Sequence, residues 1–107
     1  MTIEELQQKI DSWIKQYGVR YFNELTNTVL LMEEVGELAR HMARIYGEQS
    51  YKKGENPNDL EKEFADVLFV LICLANQCDI NLEDAMLKSL ESKAKRDSER
   101  HKNNSKL

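Results

Sequence analysis

Four carboxylates stand in two helix-spaced pairs. Glu34 and Glu37 are three residues apart in the segment MEEVGELAR (Met32 to Arg40), and Glu63 and Asp66 are three apart in EKEFADVLFVLICLA (Glu61 to Ala75). Residues three or four apart lie on the same side of an α-helix, so each pair can aim its oxygens in one direction. In a chain this rich in acids an E-x-x-E spacing is weak evidence by itself, and the neighbours decide its meaning. On a helical wheel Glu34 falls between Leu30 and Leu38, with Leu31 and Ile45 close by, and Glu63 shares its face with Val67, Val70 and Leu74. A solvated helix face does not have such neighbours.

Two carboxylates about 4 Å apart repel by about 4 kcal/mol at an effective dielectric of about 20, and desolvation adds to that cost. Four converging acids therefore require a cation or protons. A ligand set made only of oxygens, with no obligatory His or Cys, suits a hard divalent ion, Mg²⁺ first and Mn²⁺ as its substitute. The structural alternative has Glu37 pairing with Arg40 or His41 and Glu63 sitting in the first exposed turn of its helix. Residue pattern alone leaves both readings open.

Other chemistry-bearing residues are less specific. Lys93, Arg96 and Arg100 recur at spacings of three and four and could face a phosphate, but Glu91, Asp97 and Glu99 lie among them and could absorb the charge locally. Trp13, Tyr17, Tyr21 and Phe22 could stack on a nucleobase, with packing the favoured role for most of them. A di-iron bundle needs Glu-x-x-His on two helices, and the chain has no such motif. Met32, Met42 and Met86 read as core residues.

The elements that must position these residues are helical. The chain of 107 residues has the length of one domain, and a single Pro and four Gly leave few breaks for strands. Thr2 and Glu5 form a capping-box start, and apolar residues then keep helical spacing from Ile3 to Tyr17, before Gly18. A second helix is expected from Leu25 to Ile45, stopping at Gly47, and the polar stretch Glu48 to Asn58 reads as a surface loop. Asn58 with Glu61 makes a second capping pair for a third helix, about Asp59 to Cys78, which is apolar on nearly every side and should be the most buried element. Asn81 can cap a fourth helix whose stripe, Leu82, Met86, Leu90 and Ala94, fades into a polar tail from Arg96 to Leu107. The expectation is an all-α four-helix bundle in one domain, residues 1–107. A thin bundle with an apolar third helix needs more cover than one short chain supplies, so a homo-oligomer, dimer or tetramer, is expected.

Charge and composition narrow the partners. A net charge of -4 argues against a nucleic-acid duplex, which rewards clustered Lys and Arg. Cys73 and Cys78 are five apart in an apolar segment, a spacing that fits no paired ligand or redox motif, and both read as reduced core thiols. The acidic N-terminus has no apolar signal region, and the longest apolar run, Val67 to Ala75, is too short for a bilayer. No membrane partner and a cytoplasmic setting are expected.

Together the two acidic segments, in this order and each inside an apolar helix, resemble the E-E-x-x-E and E-x-x-D motifs of the MazG-type all-α nucleotide pyrophosphohydrolases. The resemblance covers the chain from Trp13 through the Lys93 to Arg100 region. It implies Mg²⁺-dependent hydrolysis of a nucleoside triphosphate, standard or not, to the monophosphate and pyrophosphate, as in a house-cleaning enzyme. It also implies that Glu34, Glu37, Glu63 and Asp66 are the metal ligands, with Glu33 or Glu34 accepting the proton of the attacking water. Related sequences tend to carry Lys and Arg at this place on helix four, which raises Lys93 and Arg96 to phosphate contacts, and Trp13 is the stacking candidate for the base. Phosphoribosyl-ATP pyrophosphohydrolase is the competitor within the superfamily, but that group carries a His soon after the second motif, where this chain reads DVLFVLICL. A non-catalytic helical interaction module is the competitor from another class.

Overall fold

The computed structural model describes residues 1–107, with the side chains of all but Asn58 and Glu99. Four α-helices run in order, α1 (Ile3–Trp13), α2 (Glu24–Tyr46), α3 (Leu60–Gln77) and α4 (Leu82–Lys102), and the described residues contain no strand. Local signals set most of their ends. Thr2 Oγ1 accepts from the Glu5 N–H at 3.1 Å while the Glu5 carboxylate accepts from the Thr2 N–H at 3.2 Å, which completes the capping box of α1. α1 then passes into a π-helical turn, Ile14–Gly18, not expected from the sequence. Asn23 caps α2 by accepting from the Thr26 N–H at 2.8 Å. At the far end of α2 a Cβ on Gly47 would lie 2.5 Å from the Ala43 carbonyl oxygen, so only glycine fits there.

α3 begins after a short 3₁₀ turn, Pro57–Asp59. The capping role expected of the Asn58 side chain lies outside the described residues. Asn81 caps α4 by accepting from the Asp84 N–H at 3.0 Å. α4 runs on to Lys102, so the polar segment from Arg96 is helical where a tail was expected. The segment has no Gly or Pro, and Asp97 faces Arg100 at 3.9 Å and His101 at 3.7 Å, at the spacings that support a helix.

α3 lies between α1 and α2 and runs antiparallel to both. Trp13 of α1 meets Phe69 of α3 edge-on, with ring centroids 5.7 Å apart, while Gln7 reaches Asn76. On the other side Asn27, near the start of α2, reaches Gln77, near the end of α3. Ile72, Cys73 and Ala75 make α3 the most buried helix, as expected. Burial pushes the Cys73 thiol up to about 11.

Two amide networks clamp the end of α3. Gln7 Nε2 donates to Asn76 Oδ1 at 3.0 Å and to the Ile80 carbonyl at 2.8 Å, and Gln7 Oε1 accepts from the Leu82 N–H at 2.8 Å. Asn76 Nδ2 donates back to the Gln7 carbonyl at 3.0 Å. Asn27 Nδ2 donates to Gln77 Oε1 at 2.8 Å, and Gln77 Nε2 donates to the Phe22 carbonyl at 2.6 Å. Gln7 and Asn27 are both buried, so these bonds satisfy groups that water does not reach.

Two expectations about the core are corrected. Cys78 is a free thiol like Cys73 but is exposed, because it occupies the C-cap of α3 where the helix turns into solvent. Met32, Met42 and Met86 are exposed rather than packed in the core. The reason lies partly in α4, which leaves α3 at a bend of 100° and packs on α1 instead of closing over α2 and α3. The radius of gyration is 17.8 Å, against about 13 Å for a compact domain of this length.

Replacing Gln7 with Ala strands the Leu82 N–H, Asn76 Oδ1 and the Ile80 carbonyl, and should destabilise the fold by about 2 kcal/mol. Urea unfolding of the parent and Gln7→Ala checks this, and equal midpoints would remove the clamp from the account of the fold.

Candidate metal centre and adjoining pocket

Antiparallel packing places Glu34 of α2 beside the first turns of α3. One oxygen each from Glu34, Glu63 and Asp66 lies within 4.8 Å of the other two. Ligands of an octahedral Mg²⁺, at a usual bond of about 2.1 Å, stand about 3.0 Å apart when adjacent and about 4.2 Å when opposite, so the three oxygens can reach one such ion by drawing closer together. Glu63 is buried and the other two are half-buried. The donor set, oxygen only and held on two rigid helices, fits a hard divalent cation.

Electrostatics agree with the geometry. Desolvation, then the charges of Asp66 and Glu63, and last that of Glu37, hold the Glu34 carboxyl above the usual carboxylate range, while Lys62 acts against them. Lys62 Nζ sits 2.7 Å from Asp66 Oδ2, one helical turn away, so a lysine ammonium supplies part of the missing positive charge. Nothing in the spacing of the acids marks Lys62 as part of the cluster.

Not every expected residue joins the cluster. Glu37 is exposed on the rim, one turn beyond Glu34, and acts on the cluster through its charge. Glu33 is exposed outside it. The structural alternative for these acids is not what the fold contains: Arg40 pairs with Glu55, His41 bonds to Tyr51, and Glu63 is buried. Lys93 and Arg96 ride on α4, and the structure does not bring them to the acids within one chain. Arg96 forms a two-pronged pair with Asp97 at 2.8 and 2.9 Å, which holds that carboxyl down to about 2.

Trp13 does stand near the centre. A mostly apolar cavity of about 220 Å³ opens between the π-helical turn, α2 and α3, lined by Trp13, Phe22, Asn27, Leu30, Phe69 and Val70 among others. Leu30 is one turn before Glu34, and Val70 one turn after Asp66, so the cavity continues the acidic cluster along the same helix pair. Helical periodicity places Leu30 and Val70 beside the acids; the cavity itself depends on the packing that brings the π-helical turn, α2 and α3 together. A larger, open cleft of about 470 Å³ lies between α1 and the α3–α4 turn, lined by Glu4, Asp11 and Asp79 among others. Its acids suit no anionic ligand.

The folded pKa of Glu34 lies above its unfolded value, so the folded protein holds that proton more tightly. The resulting contribution to stability is present at low pH and is lost as pH rises through the raised value. In chelator, melting temperatures of the parent should therefore fall more steeply above the carboxylate range than those of Glu34→Gln. Parallel pH profiles for the two proteins would contradict the repulsion described above.

Comparison with known proteins bears on the same residues. The model of the MazG nucleotide pyrophosphohydrolase domain matches residues 22–101, which include both acidic pairs. The uncharacterized protein YpjD of Bacillus subtilis (strain 168) is 45% identical over 84 residues, 78% of this chain and 76% of that one. The crystal structure of B. subtilis YpjD, a candidate pyrophosphatase, superposes with a TM-score of 0.77 at 41% identity, covering 86% of this chain and 94% of that one. That of a Bacillus-conserved MazG protein, a nucleotide pyrophosphohydrolase, gives 0.73 at 37% identity over 86% and 88%. With its acidic helices, its fold and its sequence all in agreement, the chain belongs to the MazG nucleotide pyrophosphohydrolase family.

Proposed function

We propose that this pyrophosphohydrolase cleaves a nucleoside triphosphate between its α and β phosphates, with Mg²⁺, to give the nucleoside monophosphate and pyrophosphate. The observation that carries the reading is the convergence of Glu34, Glu63 and Asp66 one helical turn from an apolar, aromatic-edged cavity. Bound by these acids, Mg²⁺ or Mn²⁺ would neutralise phosphate oxygens and the charge of the departing pyrophosphate. The chain's own work is positional. Glu34, Glu63 and Asp66 hold their oxygens from two packed helices, and Glu37 is the fourth acid within reach on the rim. Glu34, whose proton affinity is raised, or Glu33 beside it takes the proton from the attacking water. The water oxygen joins the α-phosphorus as the bond to the bridging oxygen breaks, and pyrophosphate leaves with that oxygen. Trp13 and Phe69 border the cavity that takes the base, where stacking can contribute about 1–3 kcal/mol.

A homodimer or tetramer belongs to the same proposal. Leu25, Val29 and Met32 on α2, Phe64, Leu68 and Leu71 on α3, and Met86, Leu87 and Leu90 on α4 are all exposed in a single chain. Apolar stripes of this extent are covered in stable proteins, and a second copy offers the same surfaces in return. Such an assembly would also give Lys93 and Arg96 of one copy a route to the phosphates bound by another. Nucleoside triphosphates and Mg²⁺ are plentiful in the cytoplasm, which is the setting proposed. Among the described residues no single helix is long and apolar enough to cross a membrane.

Incubating the protein with a panel of ribo- and deoxyribonucleoside triphosphates in Mg²⁺ should release pyrophosphate and not orthophosphate, and chelator should stop it. Release of orthophosphate, or turnover unaffected by chelator, would sink the mechanism. Glu34→Gln and Asp66→Asn should lower turnover by about two orders of magnitude or more, matching the several kcal/mol a catalytic metal supplies. In chelator Glu34→Gln should melt no lower than the parent, because it relieves repulsion; clear destabilisation with retained activity would instead mark a structural ion pair. Sedimentation should show the parent as a dimer or larger and Leu68→Asp as a smaller species. A monomeric parent would end the assembly proposal.

A further inference from the structure

His41 is among the most buried polar residues of the protein, 4% exposed, and its ring lies beside the acidic cluster without joining it. A buried imidazole needs a partner for each nitrogen. Nδ1 has one, the Tyr51 hydroxyl at 2.5 Å, with the two rings tilted 52° and their centroids 5.5 Å apart. Nε2 lies 3.9 Å from Glu63 Oε1. For a neutral ring only one tautomer suits both neighbours. If Tyr51 donates its O–H to Nδ1, the ring proton is on Nε2 and faces the carboxylate; the other tautomer would set an Nε2 lone pair against a carboxylate oxygen.

The source of the tyrosine is equally specific. Tyr51 comes from the loop after α2, and that loop is tied to the same helix a second time by the Arg40–Glu55 ion pair, one residue before His41. Two neighbouring residues of α2 thus hold the loop, one by charge and one through the tyrosine hydroxyl. A buried histidine and a loop tyrosine that served packing alone would not need a nitrogen turned toward the buried acid.

We propose that Tyr51 and His41 are positioning residues for Glu63: the Tyr51 hydroxyl sets the His41 tautomer, and the Nε2–H limits the orientations of the Glu63 carboxylate to those that serve the divalent ion. This rests on reading the acids as the metal centre. Neither residue touches the substrate in this account. A 3.9 Å separation is longer than a hydrogen bond, so the histidine steers the carboxylate without locking it. Partners that orient a ligand in this way typically change metal affinity or activity by about 10- to 100-fold when removed.

The test is Mn²⁺ binding to the full chain, followed by loss of the free-ion electron paramagnetic resonance signal, beside thermal melts in chelator. Tyr51→Phe keeps the ring and removes only the hydroxyl. It should weaken Mn²⁺ binding about tenfold and, because His41 Nδ1 loses its partner, lower the chelator melting temperature modestly. His41→Leu should weaken binding further, and His41→Gln, which restores an N–H near the Nε2 position, should recover most of the affinity. Should His41→Leu fail to fold, Tyr51→Phe and His41→Gln decide the matter. Mn²⁺ affinity within twofold of the parent in Tyr51→Phe, with or without a lower melting temperature, overturns the proposal and leaves the metal-centre reading intact. A parent protein that binds no Mn²⁺ overturns both.

Discussion

Antiparallel packing of α3 between α1 and α2 is the constraint from which the rest follows. Its register is held at one end by neighbouring amides on α3, Asn76 bonded to Gln7 of α1 and Gln77 to Asn27 of α2. With that end fixed, the length of the helices carries Glu34 to the level of Glu63 and Asp66, and His41 to the level of Glu63. A slip of one turn would move the acids about 5.4 Å past each other. The amides are strict about geometry because they are buried: each unmatched donor or acceptor costs about 1–3 kcal/mol. They therefore specify a register that apolar contacts alone, being non-directional, would specify less sharply.

The same helices concentrate negative charge where folding would otherwise avoid it. Glu34 bears the cost as a raised pKa, and Lys62 offsets part of it at Asp66. Binding sites are often places where stability is given up for a prearranged field. Here the prearrangement lies in two packed helices, α2 and α3, which carry all three oxygens. The cavity beyond Leu30 and Val70 extends the site along the groove, which places a charged end and an apolar end in line. That polarity matches a nucleotide, with phosphates at one end and an aromatic base at the other.

α4 follows a different logic. It caps the Gln7 network through the Leu82 N–H, then leaves at 100° to α3 with its apolar residues uncovered. Exposed Leu, Met and Phe side chains on three helices and the large radius of gyration are two expressions of one fact: the single chain does not enclose its own apolar surface.

Much of this was legible in the residues because helix starts and stops depend on bonds within one turn. Thr2 with Glu5, Asn23, Gly47 and Asn81 act on neighbours three or four positions away, so the starts of α1, α2 and α4 and the end of α2 could be placed nearly as they occur. The pairing of acids within each helix, and their apolar neighbours, was legible for the same reason. Which acids meet was not. Glu37 shares the spacing of Glu34 yet stays on the rim, and Glu63, in the first turn of α3, is buried beside His41 of α2. The exposed positions of Cys78 and the three methionines, the outward course of α4 and the Tyr51–His41–Glu63 contact likewise depend on which helix lies across from each residue. Short-range hydrogen bonding determines where helices begin and end; only the packing of segments distant in sequence decides which of their faces are buried against which.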